Sequence, residues 1–411
     1  MTLKQIDRNV YNLIKLEEER QKENLQMIPS ENYTSKAVRE AVGSVLMHKY
    51  SEGQIGKRYY QGNKLIDKIE TLAKTRALKL FGLNPKEWAV NVQAVTGSIA
   101  NFAVLTALLE PGDKILSMNL FDGGHLSHGW KANFSSKIFN VNFYTTNPKT
   151  RILNYDKVRK QAGKFKPKII ISGGTAYPRE INHKKMGEIA KSVGAYYLAD
   201  VAHEAGLVAA KVNVSPFEHA DVITMTTRKT LRGPVGALIF CKKELEEKIN
   251  KAVFPGLLGG PQNHSIAGIA VALKEARTKA FEKYAKQTVT NAKTLAKELK
   301  KYGFDVVSGG TDKHLVLVDL RNKNTDGSKV AEDLEKAGII VNKNTVPKET
   351  ASPFHPSGIR LGTPALTSRG MKEKGMKIIA KWINIVVENP QKALEIKKDV
   401  KKLCAKFPIS F

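Results

Sequence analysis

The sequence predicts an α/β protein with a mostly parallel sheet and a second, smaller domain. Three observations predict it. Runs of β-branched and aromatic residues alternate with helix-like stretches from about residue 88 to 240. Four polar groups, Gly97-Ser98, Thr175, Asp200 to His203 and Lys229, fall at the ends of those runs, where open α/β sheets bind ligands. A Gly-rich turn, VFPGLLGGPQN, then precedes a long helical pattern and a further αβ unit.

The elements follow in order. MTLKQIDRNVYNLIKLEEERQKENLQ reads as a charged amphipathic helix, not a signal peptide. WAVNVQAVT (88–96) reads as strand, and GSIANFAVLTALLE (97–110) as helix. KILSMNL (114–120) and KIIISGG (168–174) are strands, and HKKMGEIAKSVG (183–194) has helical apolar spacing. AYYLADVA (195–202) and DVITMTT (221–227) are strands. One long helix is expected from His264 to about Leu299, with the smaller domain beginning along it and KHLVLVDL (313–320) as a strand.

Composition excludes several classes. Hydrophobic residues make up 42% and charged residues 26%, which suits sizeable cores. Two cysteines without CxxC spacing argue against a disulfide framework or a thiolate zinc site. No run of eighteen apolar residues appears, so a soluble, cytoplasmic protein without membrane contact is expected. The net charge of +28 suits a polyanion. Yet the lysines are spread along the chain and no nucleic-acid-binding signature accompanies them, so nucleic acid is expected only as an incidental partner.

Lys229 ends a buried-looking strand among small hydroxyl residues, and Asp200 ends another. A carboxylate there is costly unless it meets a cation or a donor. The two residues either pair with each other or face a cofactor. Pyridoxal phosphate needs a lysine, an acid for its pyridine nitrogen, a stacked ring and phosphate donors. Asp200 and Lys229 supply the first two, TGSIAN (96–101) offers a helix N-terminus for the phosphate, and His125 in DGGHLSHG offers the ring. His125, His128 and Asp122 share a spacing that would suit a metal, but no further ligand cluster supports one and none is expected. Tyr59-Tyr60 as core aromatics, Glu52 as a structural carboxylate and Arg360 in a surface salt bridge are the plainer alternatives. The Lys- and Glu-rich runs near 157–168, 242–251 and 396–406 read as solvated faces.

Eight stretches carry a resemblance. They are MIPSENYTSKAV, HKYSEGQIGKRYYQG, VQAVTGSIANFAVLTALLEPGD, LFDGGHLSHG, ADVAHEAGLVAA, TTRKTLRGPVGALIF, FPGLLGGPQNHSIAGIAVALKEA and SPFHPSGIRLGTPALTSRG. In this order the chain resembles serine hydroxymethyltransferase, a fold-type I, aspartate aminotransferase-like pyridoxal-phosphate enzyme. The resemblance implies a large cofactor-binding domain (28–275) with a mostly parallel seven-stranded sheet. An N-terminal helical arm (1–27) and a smaller C-terminal α/β domain (276–411) would flank it. Pyridoxal 5′-phosphate would be covalent on Lys229. Asp200 would hold the pyridine nitrogen, His125 would stack on the ring, and His203 and Thr175 would lie near the phenolic oxygen. Gly97 and Ser98 would take the phosphate, joined by Tyr50, Gly259 and Gly260 of a neighbouring subunit in a homodimer or tetramer. Arg360 would clamp the substrate carboxylate with help from Ser30, a geometry suited to guanidinium. Glu52 and Tyr60 would flank the hydroxymethyl group. Tyr59, Leu120, Gly124, Leu126 and Asn344 would line a pterin site. The implied reaction interconverts serine and glycine through an external aldimine and passes one carbon to tetrahydrofolate or a related pterin. A pterin-independent aldolase cleaving threonine or allo-threonine is the alternative, and a decayed relative binding nucleic acid is a third reading.

The chain departs from the family pattern in places. Arg228 stands where His is usual, Val235 where Arg is usual and Thr175 where Ser is usual. Pro29 and Gln54-Ile55 are milder differences.

Overall fold

Alternation within each strand decides how the main sheet is covered. In the computed structural model, which describes residues 1–409, seven strands form one sheet. They are β1 (Trp88–Asn91), β2 (Lys114–Met118), β3 (Asn140–Tyr144), β4 (Ile169–Ser172), β5 (Tyr196–Asp200), β6 (Val222–Thr226) and β7 (Ala237–Lys242). Leu116, Ile170, Tyr197, Ile223 and Phe240 join one hydrophobic cluster. Their chain neighbours Ile115, Ile169, Leu198, Val222 and Ile239 join another. Successive side chains point to opposite faces, so both faces are buried and the strands read as near-continuous apolar runs.

The strand order is β1-β7-β6-β5-β4-β2-β3. Pairing is parallel from β6 through to β3, while β7 runs antiparallel to both β6 and β1. This is the mostly parallel seven-stranded sheet that the resemblance implies. The sequence reading did not single out β3 or β7: NVNFY alternates polar with apolar residues, and ALIFCK follows directly on the Gly-Pro turn.

Amphipathic helices surround the sheet. Helix α1 (Arg8–Glu23) has no buried residue and lies at the N-terminus as expected. Helix α2 (Lys64–Phe81) ends on Gly82 at φ 68°, a left-handed stop that favours glycine. Helix α3 (Gly97–Leu108) starts on a Thr96 cap, whose hydroxyl accepts from the Ile99 N–H.

The single helix expected from His264 to Leu299 is two helices. These are α4 (Asn263–Glu275) and α5 (Lys279–Lys301), divided where Thr278 turns to an extended conformation and caps the Phe281 N–H. Apolar periodicity runs through the break and hides it. The expected Gly-rich turn likewise contains a helical segment at Ala252–Leu257.

A second sheet packs on its own core. Its strands β8 (Asp305–Val306), β9 (Leu315–Asp319), β10 (Asn342–Asn344) and β11 (Gly358–Gly362) lie in the order β8-β9-β11-β10, all antiparallel. Leu25 and Met27, just after α1, are fully buried in that core. The N-terminal segment is therefore stapled to the C-terminal half. No helix among the described residues is long and apolar enough to cross a membrane.

Candidate active site

The loops after β4, β5 and β6 close over one cavity of about 140 Å³, lined by Gly97, Ser98, His125, Thr175, Asp200, His203, Arg228 and Lys229 among others. Each position has a local cause. Gly97 opens α3 where an added Cβ would meet the Thr226 methyl at 2.7 Å. Only glycine lets the helix start so close to β6. The backbone N–H groups of this first turn have no acceptor within the helix and point outward. Gly173 adopts φ 141°, and a Cβ there would strike the Asp200 carbonyl at 2.3 Å, so the chain after β4 lies against the end of β5.

Asp200 is held by three donors. Asn101 Nδ2 (2.8 Å) and His128 Nε2 (2.9 Å) reach Oδ2, and the Ala202 N–H (2.9 Å) reaches Oδ1. Burial alone raises a carboxyl pKa. Here the hydrogen bond and charge of His128, then His125 and Asn101, outweigh it and hold the group well below the usual range. Asn101 is fixed in turn by the Thr224 hydroxyl (2.6 Å) and donates to Ser127 (2.9 Å). Asp200 does not pair with Lys229; no ion pair joins them among the described residues.

Lys229 sits three residues beyond the last strand residue of β6, in a loop pinned by Thr227. The Thr227 hydroxyl donates to the Pro234 carbonyl (2.6 Å), and its N–H to the Gly236 carbonyl (3.1 Å). Asn32 donates to the Lys229 carbonyl at 3.1 Å. The amine is buried and makes no ion pair among the described residues. Burial, with the charges of Arg360 and Arg228, pulls it down to about 8 against the opposing pull of Asp200. About a tenth is therefore the neutral, nucleophilic amine at pH 7, far more than for an ordinary lysine.

His125 lines the same cavity, with Nδ1 held by Ser127 Oγ (2.7 Å) and N–H (3.2 Å). Burial first, then His128, lowers it to about 4 and keeps the ring neutral. His125, His128 and Asp200 each bring one ligand-type atom within 4.8 Å of the others. Asp122, grouped with the histidines in the sequence, instead accepts from Thr146. Arg360, on β11, reaches across from the second sheet and donates from Nη1 to the Thr175 carbonyl and to Thr175 Oγ1 (2.9 Å). It is buried without a carboxylate partner among the described residues. That excludes the surface salt bridge and leaves a cation available to an anion.

The remaining predicted residues are not in this cavity. Ser30 lies in an adjoining groove of about 720 Å³, which shares Arg228 and Val235 with the cavity. Tyr50, Glu52, Tyr60, Gly259 and Gly260 gather in a separate place. The Tyr50 and Tyr60 rings meet edge-on at 5.3 Å. Added Cβ atoms at Gly259 and Gly260 would lie 3.2 Å from the Glu52 carboxylate and 3.3 Å from the Tyr50 ring. Tyr59 packs edge-on against Phe254 at 5.6 Å and is exposed, so neither it nor Tyr60 is a core aromatic. Leu120, Gly124 and Leu126 lie on the loop after β2, where the Gly123 carbonyl accepts the Thr175 N–H at 2.8 Å. Asn344 ends β10 and bonds the Thr345 carbonyl at 2.7 Å.

Sequence reasoning missed Asn101 and weighed His128 only as a metal ligand. Both carried a faint signal: Asn101 falls one helical turn beyond Gly97, and His128 three residues beyond His125.

Comparison with known proteins is consistent along the whole chain. The sequence profile described as serine hydroxymethyltransferase matches residues 3–383. The chain is 53% identical over 411 residues to a protein named serine hydroxymethyltransferase from Methanosarcina barkeri (strain Fusaro / DSM 804), covering 99% of each.

Proposed function

The chain belongs to the serine hydroxymethyltransferase family, and from that premise we propose how its residues divide the work. The enzyme uses pyridoxal 5′-phosphate and interconverts serine and glycine, with tetrahydrofolate or a related pterin as one-carbon carrier. A full-length match to a hydroxymethyltransferase favours this reaction over the pterin-independent aldolase.

The residues fit the cofactor. A buried, unpaired amine, a carboxylate held as an anion by three donors and a glycine-started helix face one cavity. The unpaired amine of Lys229 is the observation that carries the reading. Lys229 holds the cofactor covalently, and Asp200 keeps the proton on its pyridine nitrogen. His125 stacks on the ring, Gly97 and Ser98 bind the phosphate, and Thr175 and His203 face the phenolic oxygen. Bound there, pyridoxal phosphate withdraws electrons from the substrate α-carbon and weakens its bonds.

Arg360, assisted by Ser30, binds the substrate carboxylate bidentately. Glu52 moves a proton to and from the hydroxymethyl oxygen beside Tyr60. Tyr59, Leu120, Gly124, Leu126 and Asn344 receive the pterin. Tyr50, Gly259 and Gly260 reach the phosphate of a neighbouring copy. The exposure of Tyr50 and Gly259 on their own chain supports a homodimer, or a tetramer of such dimers, with shared sites; its place would be the cytoplasm. We divide the chain into an arm (1–27), a large domain (28–275) and a small domain (276–411); the separate core under the second sheet supports a small domain, although Phe281, Tyr284 and Val289 still pack in the large-domain core and Leu25 and Met27 of the arm in the small one.

Borohydride reduction followed by peptide mass analysis tests the reading. The cofactor mass is expected on the peptide carrying Lys229, and glycine with tetrahydrofolate is expected to change the visible spectrum. A colourless protein that takes up no pyridoxal phosphate would contradict it.

A further inference from the structure

A row of side chains runs from the cavity wall into the seam between the two sheets. Arg360 Nη1 donates to Thr175 Oγ1 at 2.9 Å. Thr175 Oγ1 meets His203 Nε2 at 3.1 Å, and His203 Nδ1 meets His314 Nε2 at 3.3 Å. The two imidazoles stack with centroids 5.5 Å apart and 21° between planes. His314 Nδ1 is buried with no hydrogen-bond partner. Behind the stack, Lys313 is 0% exposed and pairs with Glu204. His203-Glu204 thus faces Lys313-His314: two neighbours on the loop after β5 against two at the start of β9.

The row has two ways to arrange its hydrogens, because each neutral imidazole carries one N–H. In the first, His203 gives its Nδ1 hydrogen to His314. His314 then carries a buried Nδ1–H with no acceptor, and the Thr175 hydrogen is spent on His203. In the second, His314 gives its Nε2 hydrogen to His203, and His203 gives its own Nε2 hydrogen to Thr175. Thr175 Oγ1 then accepts twice, from Arg360 and His203, and its hydrogen is free to face the cavity.

The partnerless Nδ1 of His314 selects the second arrangement. A buried N–H left without an acceptor is rarer and costlier than an unfilled lone pair, so Nδ1 is bare and the hydrogen sits on Nε2. Burial keeps both imidazoles well below their ordinary pKa, with Lys229 and Arg360 adding to it for both rings, Lys313 for His314, and His314 and His125 for His203. Both rings are therefore neutral.

We propose that His314, backed by the Glu204–Lys313 pair, is a positioning residue: it hands its Nε2 hydrogen to His203, so that Thr175 offers its hydroxyl hydrogen to an anionic ligand oxygen in the cavity. The ligand in question is the cofactor of the preceding section, and the inference rests on that reading.

Ring ¹⁵N shifts of the histidines in the full-length, cofactor-loaded protein test this, with signals assigned through the backbone resonances and checked with His203→Gln and His314→Gln. Both His203 and His314 are expected to carry hydrogen on Nε2 and none on Nδ1. An Nδ1–H on either ring overturns the proposal. His314→Gln keeps an amide donor and is expected to leave the pH midpoint of the visible cofactor band in place. His314→Leu removes the donor and should shift that midpoint by about one pH unit, the size of a hydrogen bond to a charged group. Equal shifts in both variants, or none in either, would also overturn it. If the variants do not fold, the wild-type ring shifts still decide. The rings report with or without cofactor, so a chain that binds no pyridoxal phosphate removes the cofactor reading and leaves the tautomers to be judged separately.

Discussion

The cavity around Lys229 and the ring patch around Tyr50 are opposite in kind. In the cavity, Asp200 and Lys229 are 8% and 9% exposed. Each is positioned by hydrogen bonds from other loops of the same chain. In the patch, Tyr50, Tyr59 and Tyr60 are 56%, 72% and 45% exposed. Their loop is nevertheless firmly anchored. Buried Arg58 bonds Glu70 (2.6 Å), Asp67 (2.8 Å) and the Gly53 carbonyl (2.6 Å), and Ser51 bonds Asn263 at 2.7 Å. A rigid loop that displays three tyrosines and a carboxylate is built to meet something outside its own fold. One region is held together within the chain, and the other is the one we propose a neighbouring copy completes.

The comparison breaks first at Lys229. Lys229→Ala is expected to abolish covalent cofactor attachment and lower hydroxymethyl transfer by at least about a thousandfold, as loss of a covalent group does. Borohydride trapping and steady-state rates check it. Retained transfer would remove the cavity from the chemistry. Next, Glu52→Gln in the exposed region should cost about a hundredfold in serine-to-glycine turnover, the range of a lost proton-transfer group. Cofactor uptake should stay at the wild-type level. Turnover near wild type would make the carboxylate structural.

A third test separates the regions by pH. The Lys229 amine is lowered to about 8 in the folded chain, while an unfolded lysine titrates near 10.4. Between those values the unfolded state binds more protons, so this group makes the cofactor-free protein more stable as pH rises. The contribution to the slope is at most about 1.4 kcal/mol per pH unit. Across that window the denaturant midpoint of cofactor-free wild type should rise relative to that of Lys229→Met. Parallel curves would contradict the buried amine. The smallest effect is expected at Arg228, which is exposed at the mouth shared by the cavity and the adjoining groove. Arg228→His should leave the rate equal to or above wild type, and not lower by more than about twofold. A loss of cofactor absorbance in that variant would contradict this.

The sequence carried much of the cavity and little of what holds it. Strand ends are legible because apolar runs stop abruptly, which is how Thr175, Asp200 and Lys229 stood out. Roles for Tyr50, Gly259, Gly260 and Asn344 came from resemblance; nothing in their spacing assigns them. The supporting contacts are long-range and leave no local pattern. Asp200 meets Asn101 from 99 residues away, and Lys313 meets Glu204 from 109. For the same reason two facing strand ends leave an Asp200–Lys229 pair open as the alternative to a shared cofactor. It fails because Asn101, His128 and the Ala202 N–H already occupy the carboxylate. The helix break at Thr278 was missed because the cap is a single threonine within an unbroken apolar rhythm.

Mixing two crippled proteins tests the shared-site claim most directly. Lys229→Ala lacks a working cavity and Glu52→Gln lacks a working patch, but a mixed dimer holds one site with both halves intact. Refolding the two together should restore transfer to about a quarter of wild type, since half the dimers are mixed and each has one good site. Activity no greater than the sum of the separately refolded parents would contradict the account.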